Sequence, residues 1–133
     1  EARIYWVHTT GPGGRPNATP VWGVELQGVL YFYTHSGTVK ARNLEQNPSV
    51  AVHLESGSDV VLVHGRFLYM GHPSQHPDVV EVFEKKYDRP DERPFLPSSD
   101  PMFDVLYSLD PRRALTWTLP DSEASVRRWS AIR

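Results

Sequence analysis

The run Val29-Leu30-Tyr31-Phe32-Tyr33-Thr34 is apolar on both faces of an extended segment. Its aromatic and β-branched residues suit a strand, and a strand with no polar face must be covered on both sides. In a chain of 133 residues the simplest arrangement that does so is a barrel wall with a further element packed outside it. Other segments repeat the β character: Ile4 to Thr9, Val50 to Leu54, Val60 to Met70 with a bend at Gly65, Ala114 to Leu119, and an edge strand over Arg127 to Ile132. Pro16 to Leu26 alternates with a period of two, placing Ala18, Pro20, Trp22, Val24 and Leu26 on one face. Pro20 has no N–H for a ladder, so this strand is expected to be unpaired or bulged there. Gly23 beside it leaves room for another backbone or a ligand.

Twelve prolines and nine glycines keep the elements short. Gly11-Pro12-Gly13-Gly14 reads as a hairpin loop; Pro12 and Pro16 remove donors that a phosphate cradle would need. Helices are expected from a cap at Ser36 or Thr38 to Pro48, from about 77 to 87 at the spacing of Val79, Val82, Phe83 and Tyr87, and over Met102 to Leu109. Asp88 to Asp100, with Pro90, Pro94 and Pro97, reads as a surface connection. The fold class is therefore mostly β (α+β), a small antiparallel barrel with short helical insertions, forming one domain over residues 1–133. The sequence opens on Glu1 rather than Met, which leaves room for residues upstream.

Composition removes several function classes. There is no cysteine, hence no disulfide framework, thiolate metal site or cysteine nucleophile. Fourteen basic residues against sixteen acidic ones give a net charge of -2, which argues against a nucleic-acid partner. No apolar run approaches the roughly 18 residues of a membrane span, and no basic-then-apolar leader is present. A cytoplasmic protein with neither membrane nor nucleic acid as partner is expected.

The chemistry concentrates between Thr34 and Leu44. A strand delivers the Thr34 hydroxyl to a turn holding Ser36, Gly37 and Thr38, and a helix starts there with free N–H groups pointing outward. Lys40 and Arg42, with Asn43 beside them, stand in the first turns, where cations oppose the helix dipole unless an anion offsets them. A phosphate would do so, held by a planar guanidinium, an ammonium and hydroxyls. The spacing alone is equally compatible with a solvated helix face.

Pro20-Val21-Trp22-Gly23, then Tyr31-Phe32-Tyr33-Thr34, then Lys40-Ala41-Arg42-Asn43-Leu44-x-x-Asn47-Pro48, resembles the pyridoxamine 5′-phosphate oxidase-like split β-barrel family, and within it the flavin- and deazaflavin-dependent oxidoreductases. Arg113 to Trp117 and Arg127-Arg128-Trp129 resemble the C-terminal close common there. The resemblance implies a six-stranded antiparallel split β-barrel of the FMN-binding type, working as a homodimer with two cofactors at the subunit interface. It implies that Lys40 and Arg42/Asn43 hold the cofactor phosphate with Thr34 and Ser36. Pro20, Val21 and Trp22 would line the isoalloxazine-type ring, and Trp117 and Trp129 would close the pocket. Asn17 stands where the family often carries His, and the close reads Arg-Arg-Trp rather than Thr-Arg-Trp. The basic residues of a vitamin B6 phosphate pocket do not stand out, so that activity is not expected. The implied function is hydride transfer to or from a small or conjugated organic substrate by a bound deazaflavin (coenzyme F-420) or FMN, with the C-terminal close favouring the deazaflavin. The alternatives are a non-catalytic flavin or haem carrier and a cofactor-free dimeric module.

His72 and His76 have a zinc-like spacing, but Pro73 and Pro77 place the helix after both and no third ligand is evident. His35 adjoins the phosphate turn and is a candidate cofactor contact. The acids Asp88, Asp91, Glu92 and Asp100 read as solvated surface.

Overall fold

The structure, a computed structural model, describes residues 2–131. Eight strands form one antiparallel sheet among them: β1 (Tyr5–Thr10), β2 (Pro16–Val21), β3 (Val24–Leu26), β4 (Val29–Thr34), β5 (Ser49–His53), β6 (Asp59–Gly71), β7 (Val105–Thr118) and β8 (Arg127–Ser130). Helix α1 (Val39–Gln46) follows β4, α2 (Pro77–Lys86) follows β6, and the short α3 (Ser122–Ser125) precedes β8. The strand order is β2-β1-β5-β6-β7-β4-β3, with β8 added to β7.

The architecture is the expected mostly β antiparallel split barrel, with two differences. There are eight strands rather than six, and the sheet does not close by hydrogen bonds: β2 and β3, its two ends, are not paired. Those ends are nevertheless neighbours in the chain. Only Trp22 and Gly23 separate Val21 from Val24, so three Cα steps, roughly 11 Å at most, join opposite ends of the sheet. The expected single strand from Pro16 to Leu26 is thus broken at Trp22-Gly23, and that break is the split in the barrel.

Pro20 is paired after all: it stands opposite Trp6 with no shift of register. β2 lies at the edge of the sheet, so it has one neighbour and needs donors on one side only.

The doubly apolar strand separates two cores. Phe32 points into a cluster with Val7, Val50, Val52, Phe67 and Leu109 inside the curled sheet. Its neighbour Tyr33 points into a second cluster with Val24, Val79, Phe83, Tyr87 and Leu106, roofed by α2. Phe83 is fully buried; truncating such a ring to Ala costs about 3–5 kcal/mol.

Of the helix expected over Met102 to Leu109, Val105 to Leu109 is instead the start of β7, one strand of fourteen residues, and Met102 to Asp104 precede it. Val105, Tyr107 and Leu109 face the inner core while Leu106 faces α2, so both faces are buried and the sequence loses the period of two that marks a strand. Pro111 sits mid-strand opposite Gly65, where the register slips between His64 and Gly65. A bulge of this kind is where a central strand tolerates proline, and it fulfils the bend expected at Gly65. In the edge strand expected over Arg127 to Ile132, Ile132 lies outside the described residues.

Candidate functional site

A cleft of about 180 Å³ opens at the break between β2 and β3. Pro20, Val21 and Trp22 form one wall, Tyr33 and Thr34 from the end of β4 another, and Phe95 and Phe103 from the α2–β7 connection the rim. Lys40, on the first turn of α1, reaches it from the helix. Thr38 caps that helix: its hydroxyl accepts from the Ala41 N–H at 3.3 Å and donates to the His35 carbonyl at 2.8 Å.

Among the described residues, two polar side-chain groups in the cleft have no partner. Thr34 is 5% exposed, and among the described residues its hydroxyl bonds to no other side chain. Lys40 is half-buried and meets no carboxylate; burial pushes its ammonium below the ordinary lysine value. A half-desolvated cation is unfavourable unless an anion joins it. Tyr33, by contrast, is committed: its hydroxyl donates to the Phe95 carbonyl at 2.6 Å, and burial pushes its pKa up.

The Trp22 wall is held from behind by Tyr87, which is fully buried. The two rings stack. The Tyr87 hydroxyl accepts from the Gly23 N–H at 3.0 Å and donates to the Arg3 carbonyl at 2.6 Å, with the Gly23 carbonyl a second acceptor at 3.0 Å. Lys86 Nζ donates to that Gly23 carbonyl at 2.7 Å. Where the ladder is broken, the last residue of α2 and the Tyr87 that caps it thus satisfy the backbone. Gly23 is required for a second reason: a Cβ there would lie 2.8 Å from the Tyr5 ring.

Of the residues expected at the site, the fold brings Pro20, Val21, Trp22, Thr34 and Lys40 together. The others lie outside this cleft in the single chain. Ser36 spends both its N–H and its hydroxyl on Asp104, at 2.8 and 2.7 Å. Arg42 is exposed and lines a separate groove with Pro12 and Arg15. Asn43 is buried and donates to the Thr9 hydroxyl at 3.1 Å, tying α1 to β1. Trp117 stands opposite Val60 on the far part of β7, and Trp129, half exposed, opposite Ala114. His35 packs on Phe103 with ring centroids 4.4 Å apart, and its Nε2 lies 3.8 Å from Asp100.

Tyr33, Phe95, Phe103 and Tyr87 are the site residues that the sequence reading missed. Phe95 sits in a stretch that reads as surface, and Phe103 in one that reads as helix. Only the helical spacing of Tyr87 with Phe83 hinted at burial, without saying what it would touch.

The family model for pyridoxamine 5′-phosphate oxidase matches residues 1–117. The chain belongs to the pyridoxamine 5′-phosphate oxidase family. No curated protein matches the sequence. Several solved structures share the fold of this family member. The conserved hypothetical protein Rv2991 from Mycobacterium tuberculosis is 24% identical with a TM-score of 0.73, over 89% of this chain and 78% of that one. An F420 reductase is 21% identical with a TM-score of 0.67, over 86% and 90%. HutZ, the haem storage protein of Vibrio cholerae, is 17% identical with a TM-score of 0.68, over 84% and 83%. At these identities the likeness concerns the fold. A flavin-type oxidoreductase or a carrier is compatible with this family membership. Among the described residues no cluster of three or more His, Asp or Glu side chains is placed to hold a metal ion, and no helix is long and apolar enough to cross a membrane.

Proposed function

We propose that this member of the pyridoxamine 5′-phosphate oxidase family is a cytoplasmic oxidoreductase that holds a phosphate-bearing flavin-type cofactor, coenzyme F-420 or FMN, with its ring against Pro20-Val21-Trp22 and its phosphate at Lys40 and Thr34. The observation that carries the reading is the half-buried Lys40 without a counter-charge beside the unpaired Thr34 hydroxyl, in a cleft walled by Trp22 and Phe103. An anionic tail on a flat ring satisfies all of these groups together. Such a cofactor supplies hydride transfer when bound, to or from a small or conjugated organic substrate, and the protein's part is to fix distance and angle.

One chain contributes about 180 Å³, less than the roughly 300 Å³ at the low end of small-molecule sites. We take a second copy of the chain to supply the rest, giving a homodimer with a cofactor at the interface. Arg42, Asn43, Ser36, Trp117 and Trp129 would act there only through that second copy or after rearrangement.

A carrier without turnover is the second reading. It is favoured by the commitment of the Tyr33 hydroxyl to the Phe95 carbonyl, which takes the one phenol of the cleft lining out of proton transfer. Titration with FMN and with coenzyme F-420, followed by fluorescence, tests the binding step. Binding tighter than 1 mM by neither cofactor overturns the reading. Binding without hydride exchange across a panel of unsaturated acceptors leaves the carrier.

A further inference from the structure

On the other side of the turn that leads into α1 lies a larger cavity, of about 840 Å³, within the roughly 300–1,000 Å³ typical of small-molecule sites. Its electrostatics are opposite to those of the cleft. Glu45 and Asp104 line it, and neither lysine nor arginine does. Asp104 is fixed by its two hydrogen bonds from Ser36, which hold its carboxyl below the ordinary aspartate value. Glu45 is exposed and forms no ion pair among the described residues.

The walls are apolar and aromatic. Leu68 and Tyr69 are exposed there without packing partners enough to bury them, and Tyr69 meets Tyr107 edge-on at 6.2 Å. Tyr107 is the informative residue. It is only 5% exposed, lines the cavity, and its hydroxyl makes no hydrogen bond among the described residues. Burial, then the negative charge of Glu45, pushes its pKa up to about 12, with Asp104 contributing. The ring is buried but its oxygen is not, so the hydroxyl is open to a ligand at the cavity wall. Two carboxylates, a phenol oxygen and aromatic faces all favour a cation, and an anion would be repelled. His72, at the rim, accepts the Ser74 N–H through Nδ1 at 3.1 Å and is the one other titratable side chain in the lining apart from the tyrosines.

We propose that this cavity is a second ligand site, separate from the cofactor cleft, for an organic cation with an aromatic or apolar body: a primary amine whose ammonium meets Glu45, Asp104 and the Tyr107 hydroxyl while its body packs on Tyr69 and Leu68. The proposal does not depend on which cofactor, if any, the cleft takes.

Three probes with the same indole ring and different charge test it by calorimetry: tryptamine (cation), tryptophol (neutral) and indole-3-acetate (anion). Tryptamine is expected to bind at least tenfold tighter than tryptophol, with indole-3-acetate weakest. Glu45→Gln, an exposed position whose loss leaves the fold intact, is expected to weaken tryptamine about fivefold or more and leave tryptophol unchanged. Lys40→Ala is expected to leave tryptamine binding unchanged while cofactor binding falls. Equal affinity for tryptamine and tryptophol, no response to Glu45→Gln, no binding at all, or tighter tryptamine binding in Lys40→Ala, where a repelling charge is removed, would each overturn the proposal. The last would place the cation in the cofactor cleft instead.

Discussion

The indole of Trp22 lies flat against the phenol ring of Tyr87, centroids 4.5 Å apart and planes within 5°. One residue belongs to the break in the sheet and the other to the end of α2, 65 positions away by their numbers. The contact explains how a strand interruption becomes a wall of the cleft. Trp22 is not free to fill the gap left by the lost pairing, because Tyr87 stacks on its ring and holds the backbone of the next residue.

Tyr87→Phe separates the two roles. The ring remains for stacking, but the Gly23 N–H and the Arg3 carbonyl lose their partner in a buried setting. A loss of about 1–3 kcal/mol is expected from one such unsatisfied group, read as a lower urea midpoint with an unchanged slope. Tyr87→Ala also removes the stack and is expected to cost more and to weaken cofactor binding.

Lys40→Ala is expected to weaken binding of a phosphate-bearing cofactor by about tenfold to a hundredfold, the worth of a charge-assisted hydrogen bond of roughly 1.5–3 kcal/mol. The pH dependence has a definite sign. Burial lowers Lys40 from 10.5, so in the free protein it deprotonates earlier than an ordinary lysine. Affinity should therefore fall as pH rises through that lowered value, and binding near it should take up a proton. Titrations from pH 7 upward check this; a decline of equal size in Lys40→Ala would assign it to another group.

His8 and His53 meet through their Nε2 atoms at 2.8 Å, and His53 Nδ1 lies 2.8 Å from the Leu54 carbonyl. A carbonyl only accepts, so His53 carries its proton on Nδ1 and accepts from His8 through Nε2. Burial, and then His53, lowers the pKa of His8 from 6.5. The unfolded chain thus binds a proton that the folded one resists. Stability should rise with pH between the lowered value and 6.5, and fall on acidification through the same window. Melting curves from pH 7.5 to 5 should show a smaller drop for His8→Gln than for the parent chain.

Gly65→Ala tests the bulge. A Cβ at Gly65 would run into the Asp110 carbonyl oxygen and lie 3.0 Å from the Pro111 Cα. These are backbone atoms of a central strand and cannot rotate away. A destabilisation of about 1–3 kcal/mol is expected, seen as a lower melting temperature; an unchanged one would mean that β6 and β7 slide freely at the bulge.

By itself the sequence determined the class of the fold and the polar end of the cleft. The doubly apolar Val29–Thr34 run required cover on both sides, and Phe32 and Tyr33 do face two cores. Thr34 and Lys40 stand where strand end and helix start meet, because both are set by local signals, a β run and the Thr38 cap. The tertiary structure decided what lies far apart in sequence. A strand buried on both faces carries no period, so Val105 to Leu109 read as helix, and with it went Phe103 and Asp104. The break at Trp22-Gly23 looks like continuous alternation, because its cause is Tyr87 on a distant helix. Asn43 reads as a ligand residue from its neighbours Lys40 and Arg42, but it stands about 100° round the helix from Arg42, and its amide ends on Thr9. Side-chain type follows the local pattern; which side chain meets which is settled only when β2 and β3, opposite ends of one sheet, are brought together by the two residues between them.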